Sequence, residues 1–238
     1  MNRLRFTDGI RDSIPIALGY LSVSFGFGIM ASGAGLSPLT AALISLCNVT
    51  SAGQVAGLSV MTAGGTLFEM ALTQLVINMR YALMSLSLSQ KMDKSFTIPH
   101  RLASSFFITD EIFAVAAGKS CDINKKYMYG LGILPVLSWT SGTLLGAVAG
   151  ELLPEAVKNA LGIAIYGMFV AIVIPASKKS AGTAAVVAAA VAISCAMKYI
   201  PAFSFISPGF AVIICAVAAA LAGAVFFPVP SSDDKEAE

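Results

Sequence analysis

The stretch Ser13–Phe68, SIPIALGYLSVSFGFGIMASGAGLSPLTAALISLCNVTSAGQVAGLSVMTAGGTLF, decides the fold, because its 56 residues include no Asp, Glu, Lys or Arg. A membrane-spanning helix needs about 20 predominantly apolar residues. The run therefore holds two crossings, divided near Gly33-Ala-Gly-Leu-Ser-Pro38. Uncharged runs recur at Tyr127–Gly150, Asn159–Ser177, Ser180–Met197 and Tyr199–Ser232, the last with a helix from about Pro208 to Phe227. Gly65–Gln90 and Leu102–Gly118 are apolar but carry charges inside them.

The whole chain agrees with this reading. Of its 238 residues 57% are hydrophobic and 12% charged, where a soluble domain has about 45–50% and about 25%. Mean hydropathy is +0.82. Such a chain has too little polar surface to face water, which excludes disorder, a nucleic-acid module and most cytosolic enzymes. With 15 Lys+Arg against 13 Asp+Glu, the balance predicts no basic patch. The expectation is an all-α integral membrane protein, a polytopic helical bundle of six to eight membrane segments. It forms one transmembrane domain over 1–228, followed by a short acidic disordered tail over 229–238.

Arg3, Arg5 and Arg11 precede the first apolar stretch, as in a signal peptide. Pro15, Gly19, Gly26, Gly28 and the segments that follow favour a retained crossing. Cys47, Cys121, Cys195 and Cys215 are scattered, and the one histidine, His100, sits in a charged connection. Neither a metal site nor a cofactor site can be built from this set, and a membrane enzyme would need clustered Ser/His/Asp or Cys/His groups that are lacking. The chain also has no G-x-x-x-x-G-K-[ST] phosphate loop for ATP.

Lys and Arg in short loops set orientation. The N-terminal arginines, Lys91/Lys94/Arg101, Lys119/Lys125/Lys126 and Lys178/Lys179 belong in the cytoplasm, and the loop with Glu151 and Glu155 outside. Eight simple crossings would put Lys91–Arg101 on the wrong side. Two segments that dip in and return remove the conflict. These are Leu39–Met61, interrupted by Asn48–Gln54, and Leu102–Gly118, interrupted by Asp110-Glu111. Broken segments are tolerated at membrane depth only where they line protein or water. A weak echo, Ile14-Pro15 with Gly26 and Leu134-Pro135 with Gly146, reads equally as an internal repeat or as chance.

Charged groups in the bilayer cost about 2.5–3.5 kcal/mol each. Glu69 and Arg80, 11 positions apart, share a helix face but stand ~16 Å apart along it, so each needs a partner elsewhere. Asp110 and Glu111 are the candidates for Arg80. Gln74, Asn78 and Tyr81 occupy roughly the face opposite Glu69, so protein surrounds this helix. Two readings stand: a structural ion pair inside a bundle, or a polar path whose carboxylates take part in coupling or gating.

Asn48, Thr50, Ser51 and Gln54 with Gly53 interrupt an apolar segment, the pattern of an unwound helix. Half-helix ends expose N–H groups and carbonyls that together hold a carboxylate and an ammonium, so a zwitterionic amino acid suits the site. The rival reading is close packing through Gly53 and Gly57. Gly142, Gly146 and Gly150, and Ala184–Ala192, read as packing faces, one of which is a candidate for docking another subunit.

In order and spacing these features resemble the AzlC (azaleucine-resistance) branched-chain amino acid permeases. The resemblance rests on Gly9 through Pro15, Phe25-Gly-Phe-Gly28, Gly35-Leu-Ser-Pro38 and Ser51-Ala-Gly-Gln54. Its most specific parts are Asn78-Met-Arg-Tyr-Ala-Leu-Met-Ser85, similar to the family's N-x-R-Y-x-L-M-S, and Thr109-Asp-Glu111. It implies export of leucine, isoleucine, valine or analogues across the bacterial inner membrane, and a small AzlD-type membrane partner. On that footing Asn48, Thr50, Ser51, Gly53, Gln54 and Asn78 are the substrate-binding candidates. Glu69, Arg80, Asp110 and Glu111 are the coupling or gating candidates, and Phe25, Phe27 and Phe68 are candidates for an aliphatic pocket. A channel-like facilitator and a scaffold subunit are the alternatives.

Overall fold

The computed structural model describes residues 4–154, 156–157, 166–167, 169–170, 173–178 and 180–227. The expected segment over 159–177 lies largely outside these residues, as do Glu155, Lys179 and the acidic tail. Among the described residues the regular structure is helical, apart from one isolated bridge between Met92 and Ile123. The helices are α1 Phe6–Gly33, α2 Pro38–Cys47, α3 Ser51–Thr62, α4 Leu67–Ser89, α5 Ile98–Ser105, α6 Asp110–Ala117, α7 Lys125–Leu152, α8 Ala181–Tyr199 and α9 Pro208–Phe226.

Four of them, α1, α7, α8 and α9, are long and apolar enough to cross a membrane. At 28 residues each, α1 and α7 span about 42 Å, more than the roughly 30 Å hydrocarbon layer. Helix α4 has 23 residues, also a sufficient length, but it carries Glu69 and Arg80. Both interrupted segments appear as pairs of short helices, α2–α3 and α5–α6. Their breaks lie slightly N-terminal of the predicted positions. The first falls at Asn48–Thr50, so Ser51–Gln54 is the opening turn of α3 rather than an unwound stretch. The second falls between Ser105 and Asp110, so Asp110-Glu111 begins α6 rather than interrupting a helix. Acidic residues stabilise the positive end of a helix dipole, which explains this placement. Sharp stops come from glycines in the left-handed region. Gly35 (φ 84°) and Gly64 (φ 69°) each let the next N–H turn back, Leu36 to Ala31 O at 3.0 Å and Gly65 to Val60 O at 2.9 Å.

The chain divides into two compact units, Met1–Leu58 with Asn78–Tyr166, and Ser59–Ile77 with Gly167–Glu238. In the first unit α1 and α7 pack along their whole length. A Cβ added to Gly9 would strike the Tyr127 and Leu131 backbone, and one on Gly130 the Phe6 carbonyl. Further along, Gly28 lies against the Thr143 carbonyl and Gly146 against that of Phe25. N-terminal ends meet N-terminal ends, so the helices run parallel, with small residues bringing the backbones together. Gly9 and Gly130 are 121 positions apart, and so are their contacts Phe6 and Tyr127. The Pro15/Pro135 echo thus falls on two helices that meet through near-equivalent faces. Around them Ile16, Tyr20, Leu88, Ile112, Tyr127, Met128, Leu131 and Trp139 form the core.

In the second unit α8 and α9 form an antiparallel pair. Gly182 meets the Phe227 ring at one end, Gly223 meets Val186 nearby, and Cys215 Sγ donates to Ala190 O at 3.1 Å. Leu67, Val191, Leu221, Val225 and Phe226 are exposed. So many outward apolar side chains suit hydrocarbon rather than water.

Candidate functional site

Both short-helix pairs restart on a threonine. At the α2–α3 break, Asn48 has extended backbone and closes α2 by donating its N–H to Ile44 O at 2.9 Å. Thr50, 3% exposed, then caps α3, its Oγ1 accepting from Gly53 N–H at 3.3 Å. At the α5–α6 break Thr109 does the same for α6, accepting from Ile112 N–H at 3.5 Å.

Arg80 links the two breaks. Its Nη2 lies 2.9 Å from Asp110 Oδ2, at the first residue of α6. The same nitrogen donates to the Tyr81 hydroxyl at 3.3 Å, and the guanidinium carbon sits 5.0 Å from the Tyr81 ring centre. Tyr81 then donates to Thr50 Oγ1 at 3.3 Å, and Thr50 donates to Asn78 Oδ1 at 3.0 Å. The bonds all run one way, from Arg80 through Tyr81 and Thr50 to Asn78, so each polarises the next. Glu111, paired with Arg80 in the sequence expectation, turns elsewhere. The Tyr20 hydroxyl on α1 donates to Glu111 Oε2 at 2.6 Å and shares a second hydrogen bond with Thr109 Oγ1 at 2.6 Å. Arg80 and Asp110 are about four-tenths exposed, so protein does not fully enclose the pair.

Behind the first break lies a closed polar network. Gln54, 2% exposed, donates to Ser45 Oγ and accepts from Trp139 Nε1–H, both at 2.8 Å. Ser45 bonds to Thr143 at 2.7 Å, and Thr143 donates to Trp139 O at 3.0 Å. Both ends of the Gln54 side chain are engaged, fastening α3 to α2 and α7. Gln54→Leu is expected to orphan the Trp139 N–H at a cost of roughly 1–3 kcal/mol, read as a lower melting temperature in detergent. An unchanged melting temperature would show the network adds no stability.

Glu69 belongs to a different constellation, in the second unit. It is 4% exposed and accepts from the Ser207 hydroxyl and, at 2.9 Å, from Gly209 N–H. Its carboxylate thereby caps α9, where the dipole favours negative charge. Phe27 is buried in the first unit, Phe25 is half-buried with its carbonyl against Gly146, and Phe68 is exposed.

Reading the sequence missed Tyr20, Ser45, Trp139 and Thr143. Serine and threonine are inconspicuous in apolar helices because they can bond to their own preceding turn, as Thr143 does. Tyr20 and the lone tryptophan, Trp139, were the available signals. Each is a large polar-tipped ring inside a charge-free run, and the two rings meet edge to face at 5.2 Å.

A family model described as AzlC protein matches residues 15–153, a span holding every residue of both breaks. Among curated proteins, the chain is 32% identical over 171 residues to "Inner membrane protein YgaZ" of Escherichia coli, covering 69% of this chain and 70% of that one. It is 32% identical over 191 residues to an uncharacterized membrane protein of Archaeoglobus fulgidus, covering 79% and 84%. It is 27% identical over 150 residues to another from Helicobacter pylori, covering 61% and 64%. No solved structure matches it significantly.

Proposed function

This chain belongs to the AzlC family of multi-pass membrane proteins, and from that premise we propose that it is a secondary transporter of small neutral amino acids. The observation that carries the reading is the Arg80–Asp110 pair joined through Tyr81 to the α2–α3 break. A scaffold has little reason to keep an arginine and two carboxylates between broken helices, where each is costly.

In this proposal the substrate backbone sits at the α2–α3 break among Asn48, Thr50, Ser51, Gly53 and Asn78. The starts of α3 and α6 both present positive dipole ends, which favour the substrate carboxylate. Asp110 and Glu111 offer negative charge to its ammonium. Gln54 holds the break from behind, and exchange of Arg80 between Asp110 and the substrate carboxylate serves as the gate. Branched aliphatic side chains are the proposed specificity, export from the bacterial cytoplasm the direction, and the proton-motive force the drive. The N-terminus lies in the cytoplasm, and a small AzlD-type subunit completes the transporter.

Radiolabelled leucine flux in proteoliposomes tests this, with and without the small partner, under an imposed pH gradient. Accumulation against the leucine gradient supports a coupled transporter. Flux that only equilibrates makes the protein a facilitator. Absence of flux with the partner present rejects leucine as substrate.

A further inference from the structure

The even charge balance predicted no basic patch, yet the fold gathers one. A cavity of about 770 Å³ opens where the chain enters α1 and α7, and among the described residues its lining includes Arg5, Lys94, Lys125 and Lys126 against a single carboxylate, Asp93. We propose that this cavity binds a phosphate group, carried by an anionic lipid headgroup or by a soluble phosphorylated compound.

The parallel packing of α1 and α7 creates the site. It brings the two helix starts side by side, and the Asn124 amide fastens them by donating to Leu4 O at 2.6 Å. Residues 93–95 close another side, where the Ser95 hydroxyl accepts from Lys125 N–H at 3.1 Å and donates to Asp93 Oδ1 at 2.5 Å. Asp93 Oδ1 also accepts from Ser95 N–H at 2.9 Å, so Ser95 already engages one oxygen of the only lining acid. Among the cations, Arg5 has one salt-bridge contact among the described residues, an exposed one with Asp8 at 3.6 Å, beside its backbone N–H bond to the same carboxylate at 2.8 Å. Lys125 Nζ lies 3.0 Å from His100 Nε2. Lys94 and Lys126 are exposed and have no acidic partner within salt-bridge distance among the described residues.

Four like charges around one void repel one another, and a multivalent oxyanion relieves that repulsion. Lysine ammoniums and an arginine fork match phosphate oxygens, and basic pockets beside membrane helices are suited to lipid headgroups. The volume falls in the range of small-ligand sites, about 300–1,000 Å³, and so accepts a phosphoglycerol headgroup as readily as a free phosphate compound.

The test uses the full chain in detergent, by native mass spectrometry with phosphatidylglycerol or phosphatidylcholine and by calorimetry with inorganic pyrophosphate. The double variant Lys94→Gln/Lys126→Gln removes two charges without touching the core, Lys94→Arg/Lys126→Arg keeps them, and Lys198→Gln is the control outside the cavity. Phosphatidylglycerol or pyrophosphate is expected to bind wild type at least about tenfold more tightly than the Gln variant, a difference of about 1.4 kcal/mol. The Arg variant and the control should bind like wild type. Binding of phosphatidylglycerol without pyrophosphate identifies the lipid source, and pyrophosphate that displaces the lipid identifies the soluble one. Equal binding by wild type and a Gln variant with wild-type melting temperature overturns the proposal. If that variant does not fold, binding by wild type that is unaffected by 1 M salt overturns it instead.

Discussion

Arg80→Ala and Asp110→Asn are each expected to lower leucine flux at least about tenfold while leaving the protein folded. Removing one partner of an ion pair also affects stability, so melting temperature in detergent is measured beside flux. A flux loss at wild-type melting temperature is then a transport defect and not a folding defect. Losing about 1.4 kcal/mol from a rate-limiting step already slows it tenfold, and Arg80 holds both Asp110 and Tyr81. Arg80→Lys keeps the charge but lacks the planar guanidinium that lies over the Tyr81 ring, so partial flux is expected from it. Unchanged flux in well-expressed Arg80→Ala and Asp110→Asn proteins would remove both residues from the mechanism.

The largest structural effect is expected from Gly146→Leu, which should yield no monodisperse protein. A single Cβ at this position already collides with the Phe25 carbonyl. Its neighbour there is helix backbone, which cannot rotate away as a flexible side chain can. Overpacking costs roughly 1–3 kcal/mol and sometimes more. Here α1 and α7 must separate, which also weakens the contacts at Gly9, Gly28 and Gly130. Gly19→Ala is the counterpart, because nothing lies within 4 Å of a Cβ there. It should be neutral or stabilising by up to about 1 kcal/mol, the helix preference of alanine over glycine. Gly146→Leu that purifies with wild-type melting behaviour would show that α1 and α7 do not pack through these faces.

The helical membrane class was legible because it rests on composition and on charge-free length, both local properties. The two broken segments were legible for a related reason, since polar side chains in apolar runs are expensive. Their exact breaks were displaced by a few residues. Thr50 and Thr109 act as caps, so polar residues after them open a helix instead of interrupting one. Within the site, cost alone narrowed the partner of Arg80 to Asp110 or Glu111, and the structure pairs it with Asp110. The partner of Glu111 was not legible, because Tyr20 lies 91 residues away and tyrosine in a membrane helix carries no obvious penalty. Glu69, grouped with Arg80 in the sequence, instead caps α9 from the second unit. Sequence spacing gives a helix face but not which distant chain end meets it.

The parallel pairing of α1 with α7 also sets a schedule for biogenesis. Ribosomes add about 5–20 residues per second, and 91 residues separate Gly33 from Lys125. The glycine face of α1 therefore waits roughly 5–18 s in the bilayer before its mate begins to emerge. During that interval Ser13, Tyr20 and Ser24, all buried in the finished protein, have only lipid, the insertion machinery or other nascent segments for company. Membrane quality control meets this chain first with the glycine face of α1 uncovered, and synthesis that stalls before Lys125 leaves it in that state.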